Sequence, residues 1–265
     1  MYKEHKNCIN RIGRGKLRYM KISVITICYN NKRGLRKTIE SVLRQDYSGD
    51  VEYLIIDGAS TDGSVDVAES YRKRFAEKGY EYRIISEPDR GIYDAMNKGI
   101  RRASGDIIGI INSGDWYRPY ALRYVAAVYE KTAFDLFHAD INLIRQNGSV
   151  IVKRSRYDRI VSSRHWNHPT SFVAKKVYDE MGLFRCEGIH DDFDFYLRVR
   201  RAGKKIVIRN RVLACFRVGG ASNQKSLSKC LERIRDRYRA YRNNGYSRLY
   251  MIECLAMEAA KWILQ

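Results

Sequence analysis

Proline is almost missing from this chain, with 3 residues in 265. So little proline excludes a polyproline spacer, and 45% hydrophobic residues without a polar repeat exclude a disordered tail. Long apolar runs are lacking too: none approaches the ~20 residues of a membrane-spanning helix. Residues 1–20 are basic and have no apolar centre, so they read as an N-terminal arm and not as a secretory signal. No Cys-x-x-Cys pair occurs among Cys8, Cys28, Cys186, Cys215, Cys230 and Cys254, which argues against a zinc site. Several of these cysteines sit within apolar runs, as reduced thiols of a cytoplasmic protein do. Acidic residues are the scarcer charge, 30 Asp and Glu against 50 Lys and Arg, and the net charge is +20. Such an excess selects anionic partners: nucleic acid, an acidic membrane surface or phosphate-bearing substrates. Charge alone does not choose among them.

What is present is a rhythm. Short β-branched apolar runs at 22–28, 51–56, 81–86 and 107–111 alternate with helical spacings. Leu35, Ile39, Val42 and Leu43 share one helical face; 65–78 reads as a second helix; Ile92, Met96, Gly99 and Ile100 mark a third. The resulting β-α-β-α-β-α-β order predicts an α/β fold with a doubly wound, mostly parallel sheet and right-handed crossovers. Polar residues end three of the strands: Asn30 and Asn31, then Asp57, then Asn112-Ser113-Gly114-Asp115. In an open parallel sheet the carboxyl edge of the strands is where ligands bind. Downstream, Asn147-Gly148 between apolar runs signals a hairpin, and 206–208 and 212–216 read as two late strands. The tail reads as two helices. Leu227, Leu231, Ile234, Tyr238 and Tyr241 would form an inward apolar stripe, or a membrane-facing one, with the arginines between them solvated.

Five ordered motifs carry a family resemblance. They are Ser23-Val24-Ile25-Thr26 with Asn30; Asp57-Gly58-Ala59-Ser60-Thr61-Asp62-Gly63-Ser64; Glu87-Pro88-Asp89-Arg90-Gly91-Ile92-Tyr93-Asp94-Ala95-Met96-Asn97-Lys98-Gly99; Asn112-Ser113-Gly114-Asp115; and Asp191-Asp192-Phe193-Asp194. Together they resemble family 2 glycosyltransferases of the GT-A fold, in particular bacterial enzymes that build capsule, colanic-acid or O-antigen polysaccharide. The resemblance spans residues 21–222. It implies a nucleotide-sugar half (21–117) and an acceptor half (118–222), followed by the helical tail (223–265).

The same resemblance implies roles. Thr26, Tyr29, Asn30, Asp57, Arg90, Asn97, Lys98 and Asn112 would bind the donor nucleotide. Asp57 would read the base, since a carboxylate accepts a ring N–H of uracil or guanine. The family's Asp-x-Asp metal motif, often followed by a further Asp, is here Asn112, Gly114 and Asp115. With one carboxylate left, Asp115 would hold Mg²⁺ or Mn²⁺ weakly unless donor phosphates complete the shell. Asp192 matches the general base of an inverting transfer. Trp116, His168, His190 and Asp191 would lie on the acceptor side. The expected partners are a nucleotide-sugar, with UDP the first candidate, and a glycan or polyprenyl-diphosphate-linked acceptor. The place implied is the cytoplasm, at the inner face of the cytoplasmic membrane, with an anionic lipid surface as a further partner.

Two rivals stand beside this reading. A sugar-nucleotide nucleotidyltransferase would want a glycine-rich loop with a basic signature after strand one, and Tyr29-Asn30-Asn31-Lys32-Arg33-Gly34 does not supply it. A nucleic-acid binder would want basic and aromatic residues interleaved on one platform. The basic residues here concentrate in loops and the tail, so no nucleic-acid partner is expected.

Overall fold

The computed structural model describes residues 20–219 and 226–264. Nearly all of the basic arm, Cys8, Gly220 and the boundary at 222/223 lie outside the described residues. In chain order the elements are β1 (Lys21–Cys28), α1 (Lys32–Leu43), β2 (Asp50–Asp57), α2 (Ser64–Glu69), α3 (Arg72–Lys78), β3 (Glu81–Ser86), α4 (Ile92–Arg102), β4 (Ile107–Ile110) and β5 (Trp116–Tyr117). There follow α5 (Ala121–Thr132), β6 (Leu136–Ile144), β7 (Val150–Lys153), β8 (Phe172–Ala174), α6 (Lys175–Met181), α7 (Asp191–Arg201), β9 (Ile206–Arg217), α8 (Leu227–Asn243) and α9 (Tyr250–Leu264).

The strands form one mixed sheet in the order β3-β2-β1-β4-β8-β6-β9-β5, with β7 paired to β6. β1 to β4 are parallel, and so is the long β6–β9 pair; β5, β7 and β8 run antiparallel to their neighbours. β1 is buried over seven of its eight residues, because helices cover both faces of the sheet. One core lies under α1, α2, α3 and α5, the other under α4, α6, α7 and the tail helices. Gly99 lets α4 approach the sheet, since a Cβ there would stand 2.6 Å from Cγ2 of Ile25. Strand order reverses between β1 and β4, and that crevice is the topological switch point of the parallel half.

Three expectations need correction. The second helix is two helices, α2 and α3, interrupted at Ser70 and Tyr71. The two late strands are one strand, β9, which absorbs its polar middle through irregular register against β6 at Ala139–Ile141. The tail follows expectation only in part: Ile234, Tyr238 and Tyr241 pack on the core, but Leu227 and Leu231 face outward, while Arg233 and Arg237 are buried. The cause is Glu258 of α9. Its carboxylate accepts from Nε of Arg233 at 2.7 Å and from Arg237 at 3.2 Å, so both guanidinium groups turn inward to satisfy a buried charge. No described helix is long and apolar enough to cross a membrane, and the five described cysteines are free thiols.

His138 of β6 is fully buried, with Nδ1 3.0 Å from Oγ of Ser155. Burial, with a smaller contribution from Lys153, pushes its pKa down to about 3. The folded state therefore refuses a proton that the unfolded chain accepts below about pH 6.5. The stability this group contributes is complete above that pH and is lost as pH falls, by roughly 2 kcal/mol between pH 7 and 5. Urea unfolding at pH 7 and 5 should show a shallower pH dependence in His138→Asn than in the native chain. Equal dependence in the two would contradict this account.

Candidate active site

The strand exits meet at the switch point, and side chains stitch them together. Asn31 caps α1 through the N–H of Gly34 and donates from Nδ2 to the carbonyl and hydroxyl of Ser113, at 2.9 and 3.1 Å. Asn30, held at a positive φ of 45°, donates its N–H to the Ser60 hydroxyl and accepts the Thr61 N–H. Asp62 accepts from the N–H of Lys32. The loops after β1, β2 and β4 are thus one hydrogen-bonded rim.

Asp57 ends β2 and is buried. Its Oδ2 accepts from the N–H of Ser60 and the hydroxyl of Ser86, whereas Oδ1 is buried without a partner. Tyr29 lies 67% exposed beside it, against Gly58. An aromatic face next to an unsatisfied acceptor suits a planar nitrogenous ring. Arg90 projects into solvent with its guanidinium 3.7 Å from Asp94, so it remains free to reach an anion.

Asn112 keeps a buried Oδ1 without a partner. Asp115 is buried rather than open at the rim; its Oδ1 accepts from the N–H of Arg217, and burial pushes its pKa up to about 7. Among the described residues no three Asp, Glu, His or Cys side chains converge as a metal cage. The donor set therefore fits a cation only as one end of a shell: a desolvated carboxylate whose burial outweighs the nearby charge of Arg217, and an orphaned amide oxygen close by in sequence.

The second cluster surrounds Asp192, in the first turn of α7. The Tyr93 hydroxyl donates to Oδ1 at 2.8 Å and the Trp166 indole donates to Oδ2 at 3.2 Å. Nδ1 of His168 stands 3.6 Å from Oδ2. Burial drives the Tyr93 pKa far upward, so this hydroxyl keeps its proton to donate. The same cause lowers His168, only partly offset by Asp192, and favours the neutral ring. The Asp192 side chain stays 18% exposed, so solvent and ligand reach it. Tyr93 belongs to the first turn of α4, which follows β3. That places Asp192 on the same edge of the sheet as Asp57 and Asn112.

Several expected site residues do other work. Thr26 is wholly buried, and its hydroxyl accepts from Tyr53 in the core. Asn97 clamps the loop before α7: Nδ2 donates to the carbonyl of Phe184 and to Sγ of Cys186, and Oδ1 accepts the Phe184 N–H. Lys98 is tied to the carbonyl of Pro88 and lies near Glu87 and Asp94, so it pins its own loop. The ammonium of Lys37 sits 3.0 Å above the Trp116 ring and covers one face of it. Asp191 accepts the N–H groups of Glu187 and Gly188 and shapes the turn, and burial raises its pKa. His190 is the residue preceding α7. Sequence reasoning missed Trp166, and it quoted Tyr93 without giving it a role.

The family model for glycosyl transferase family 2 matches residues 23–201. The chain belongs to glycosyltransferase family 2. This family 2 member is 31% identical over 236 residues to an uncharacterized glycosyltransferase of Mycobacterium tuberculosis, covering 84% of this chain and 86% of the relative. A PGL/p-HBAD biosynthesis glycosyltransferase of Mycobacterium bovis is 28% identical over 179 residues, 66% of this chain and 68% of its own. Among solved structures, a mannosyltransferase from Pyrobaculum calidifontis in complex with GDP-Man and Mn²⁺ matches with a TM-score of 0.67 at 17% identity, covering 97% of this chain and 73% of that one. TarS of S. aureus, residues 1–349 in complex with UDP-GlcNAc, matches with 0.65 at 17%, covering 91% and 72%. These likenesses establish the GT-A fold expected from the motifs.

The geometry separates clamp from rim. Asn97→Ala should cost about 2–4 kcal/mol of stability in urea unfolding, because it leaves buried backbone groups of the 184–186 loop unpaired. Arg90→Ala should cost less than about 0.5 kcal/mol. Equal small losses would return Asn97 to the list of ligand-binding residues.

Proposed function

We propose that this family 2 glycosyltransferase moves a sugar from a nucleotide-sugar, with UDP the first candidate, to a hydroxyl of a glycan or polyprenyl-diphosphate-linked acceptor in cell-surface polysaccharide synthesis. It acts with inversion, from the cytoplasm at the membrane's inner face. The observation that carries this is Asp192: a part-exposed carboxylate oriented by two hydrogen bonds, on the same sheet edge as the unsatisfied acceptor of Asp57.

In this mechanism Oδ1 of Asp57 accepts the base N–H while Tyr29 stacks on the ring. Arg90 lends positive charge toward the diphosphate. Asp192 takes the proton of the acceptor hydroxyl as that oxygen attacks the anomeric carbon. A single displacement at that carbon inverts it. Tyr93 and Trp166 fix the carboxylate's direction, and the neutral His168 ring borders it without competing for the proton. Asp115 and Asn112 would hold a Mg²⁺ or Mn²⁺ ion, which when bound would offset negative charge on the departing nucleotide. One carboxylate binds such an ion weakly, so metal and donor would bind together. The mannosyltransferase neighbour bound to GDP-Man and Mn²⁺ supports this reading of the fold.

Two outcomes are expected. In a thermal-shift screen of UDP-, GDP- and dTDP-sugars, one class should raise Tm with Mn²⁺ present and lose most of that effect on chelation. Tight Mn²⁺ binding by the protein alone, seen in calorimetry, would refute joint binding. Trp166→Phe should lower kcat about tenfold with donor affinity unchanged, because the carboxylate keeps Tyr93 but loses its second anchor. A change confined to donor affinity would remove Trp166 from this role.

A further inference from the structure

The tail hairpin packs Tyr241 and Cys254 on the core and presents a second apolar face outward. In the stretch 249–260 every exposed residue is apolar: Leu249, Ile252, Leu255, Ala256 and Ala259. Leu249 is 72% exposed and Ile252 66%. Its two carboxylates point the other way. Glu253 accepts from the Ser162 hydroxyl at 2.7 Å, and Glu258 is buried against Arg233 and Arg237 of α8. A helix packed on a domain and washed by water shows the reverse pattern, with apolar residues in and charges out. The neighbouring helix continues the pattern, with Leu227 and Leu231 exposed and with Arg235 and Arg242 on its outer side. Arg248, in the turn between the helices, is exposed as well.

We propose that the outward face of α9, with the outer edge of α8, docks this chain on an anionic bilayer. Arginine choice and net charge name the occupant. A second copy seated here would bring two chains of charge +20 together, arginine rim against arginine rim. Acidic headgroups pair with that rim, and the leucines and isoleucine enter the acyl boundary beneath them. At 15 residues α9 is too short to span a bilayer and lies in its plane.

The surface is wired to the site. The Tyr250 hydroxyl lies 3.3 Å from the N–H of Val161, and the Tyr241 hydroxyl donates to the Val161 carbonyl at 3.0 Å. That segment runs on to Trp166 and His168 beside Asp192. Docking deepens the reading above, in which the acceptor is lipid-linked, by naming the face that brings Asp192 to the membrane.

The test is flotation of the full chain with vesicles of phosphatidylcholine alone and of phosphatidylcholine with phosphatidylglycerol, compared with the double variant Ile252→Gln, Leu255→Gln. Both positions are exposed, so the fold should survive; circular dichroism and donor-induced thermal stabilisation on the same samples check that it does. The native chain should float with the anionic vesicles only, and the variant should bind them at least about tenfold more weakly while donor stabilisation is unchanged. Undiminished binding by the variant would overturn the proposal by showing mere charge attraction. So would a dimer in sedimentation velocity that the variant abolishes, because the face would then belong to a second copy. Loss of donor stabilisation in the native chain would sink the proposed transfer and leave the docking result standing.

Discussion

Everything at this site depends on holding one short loop still. Residues 184–190 lead into α7 and set where Asp192 begins its helix. From one side Asn97 of α4 bonds both backbone directions of Phe184. From the other, Asp236 of α8 accepts the Ile189 N–H at 3.2 Å, and Arg239 donates to the Glu187 carbonyl at 2.8 Å. Gly188 is required for this approach, because a Cβ would stand 2.6 Å from the Asp236 carboxylate. The clamp is polar, buried on the Asn97 side and drawn from two distant parts of the chain. A carboxylate that must accept a proton in a defined direction needs such support, since small displacements cost large factors in rate.

The same principle explains the tail. α8 reaches Asp236 and Arg239 toward the loop while Phe193 of α7 packs edge-on against Tyr241. The two buried arginines cost desolvation, which Glu258 offsets for both and the Cys254 carbonyl for Arg237, and this ties α9 into the assembly. With that charge cluster turned inward, Leu227, Leu231, Ile252 and Leu255 lie outside. The outward apolar face is thus a consequence of how the loop before α7 is anchored as well as a surface property.

Much of the fold was legible. Buried strands such as β1 and β2 announce themselves as continuous β-branched runs, and their exits as Asn, Asp and Gly clusters. Placement of the candidate residues was legible where a motif is local, as with Asp57 at the end of β2 and Asp192 in the first turn of α7. It failed where a contact is remote. Trp166 meets Asp192 across 26 residues and Tyr93 meets it across 99, with no periodicity to link them. Asn97 and Lys98 look like ligand contacts in sequence because their motif is polar; only the structure shows those polar groups spent on Phe184 and Pro88. Arg233 and Arg237 read as solvated because their partner, Glu258, lies in the next helix. Thr26 was assigned to the donor through its motif, but its side chain lies in the core and bonds Tyr53.

The central claim is that Asp192 accepts the acceptor's proton and contributes nothing to holding the donor. The direct measurement is the Asp192→Asn variant assayed twice, for transfer and for donor binding by calorimetry. The account predicts a fall in kcat of about 10²–10⁴ with donor Kd unchanged within roughly twofold. Parallel loss of both would contradict it and reduce Asp192 to a structural residue of α7.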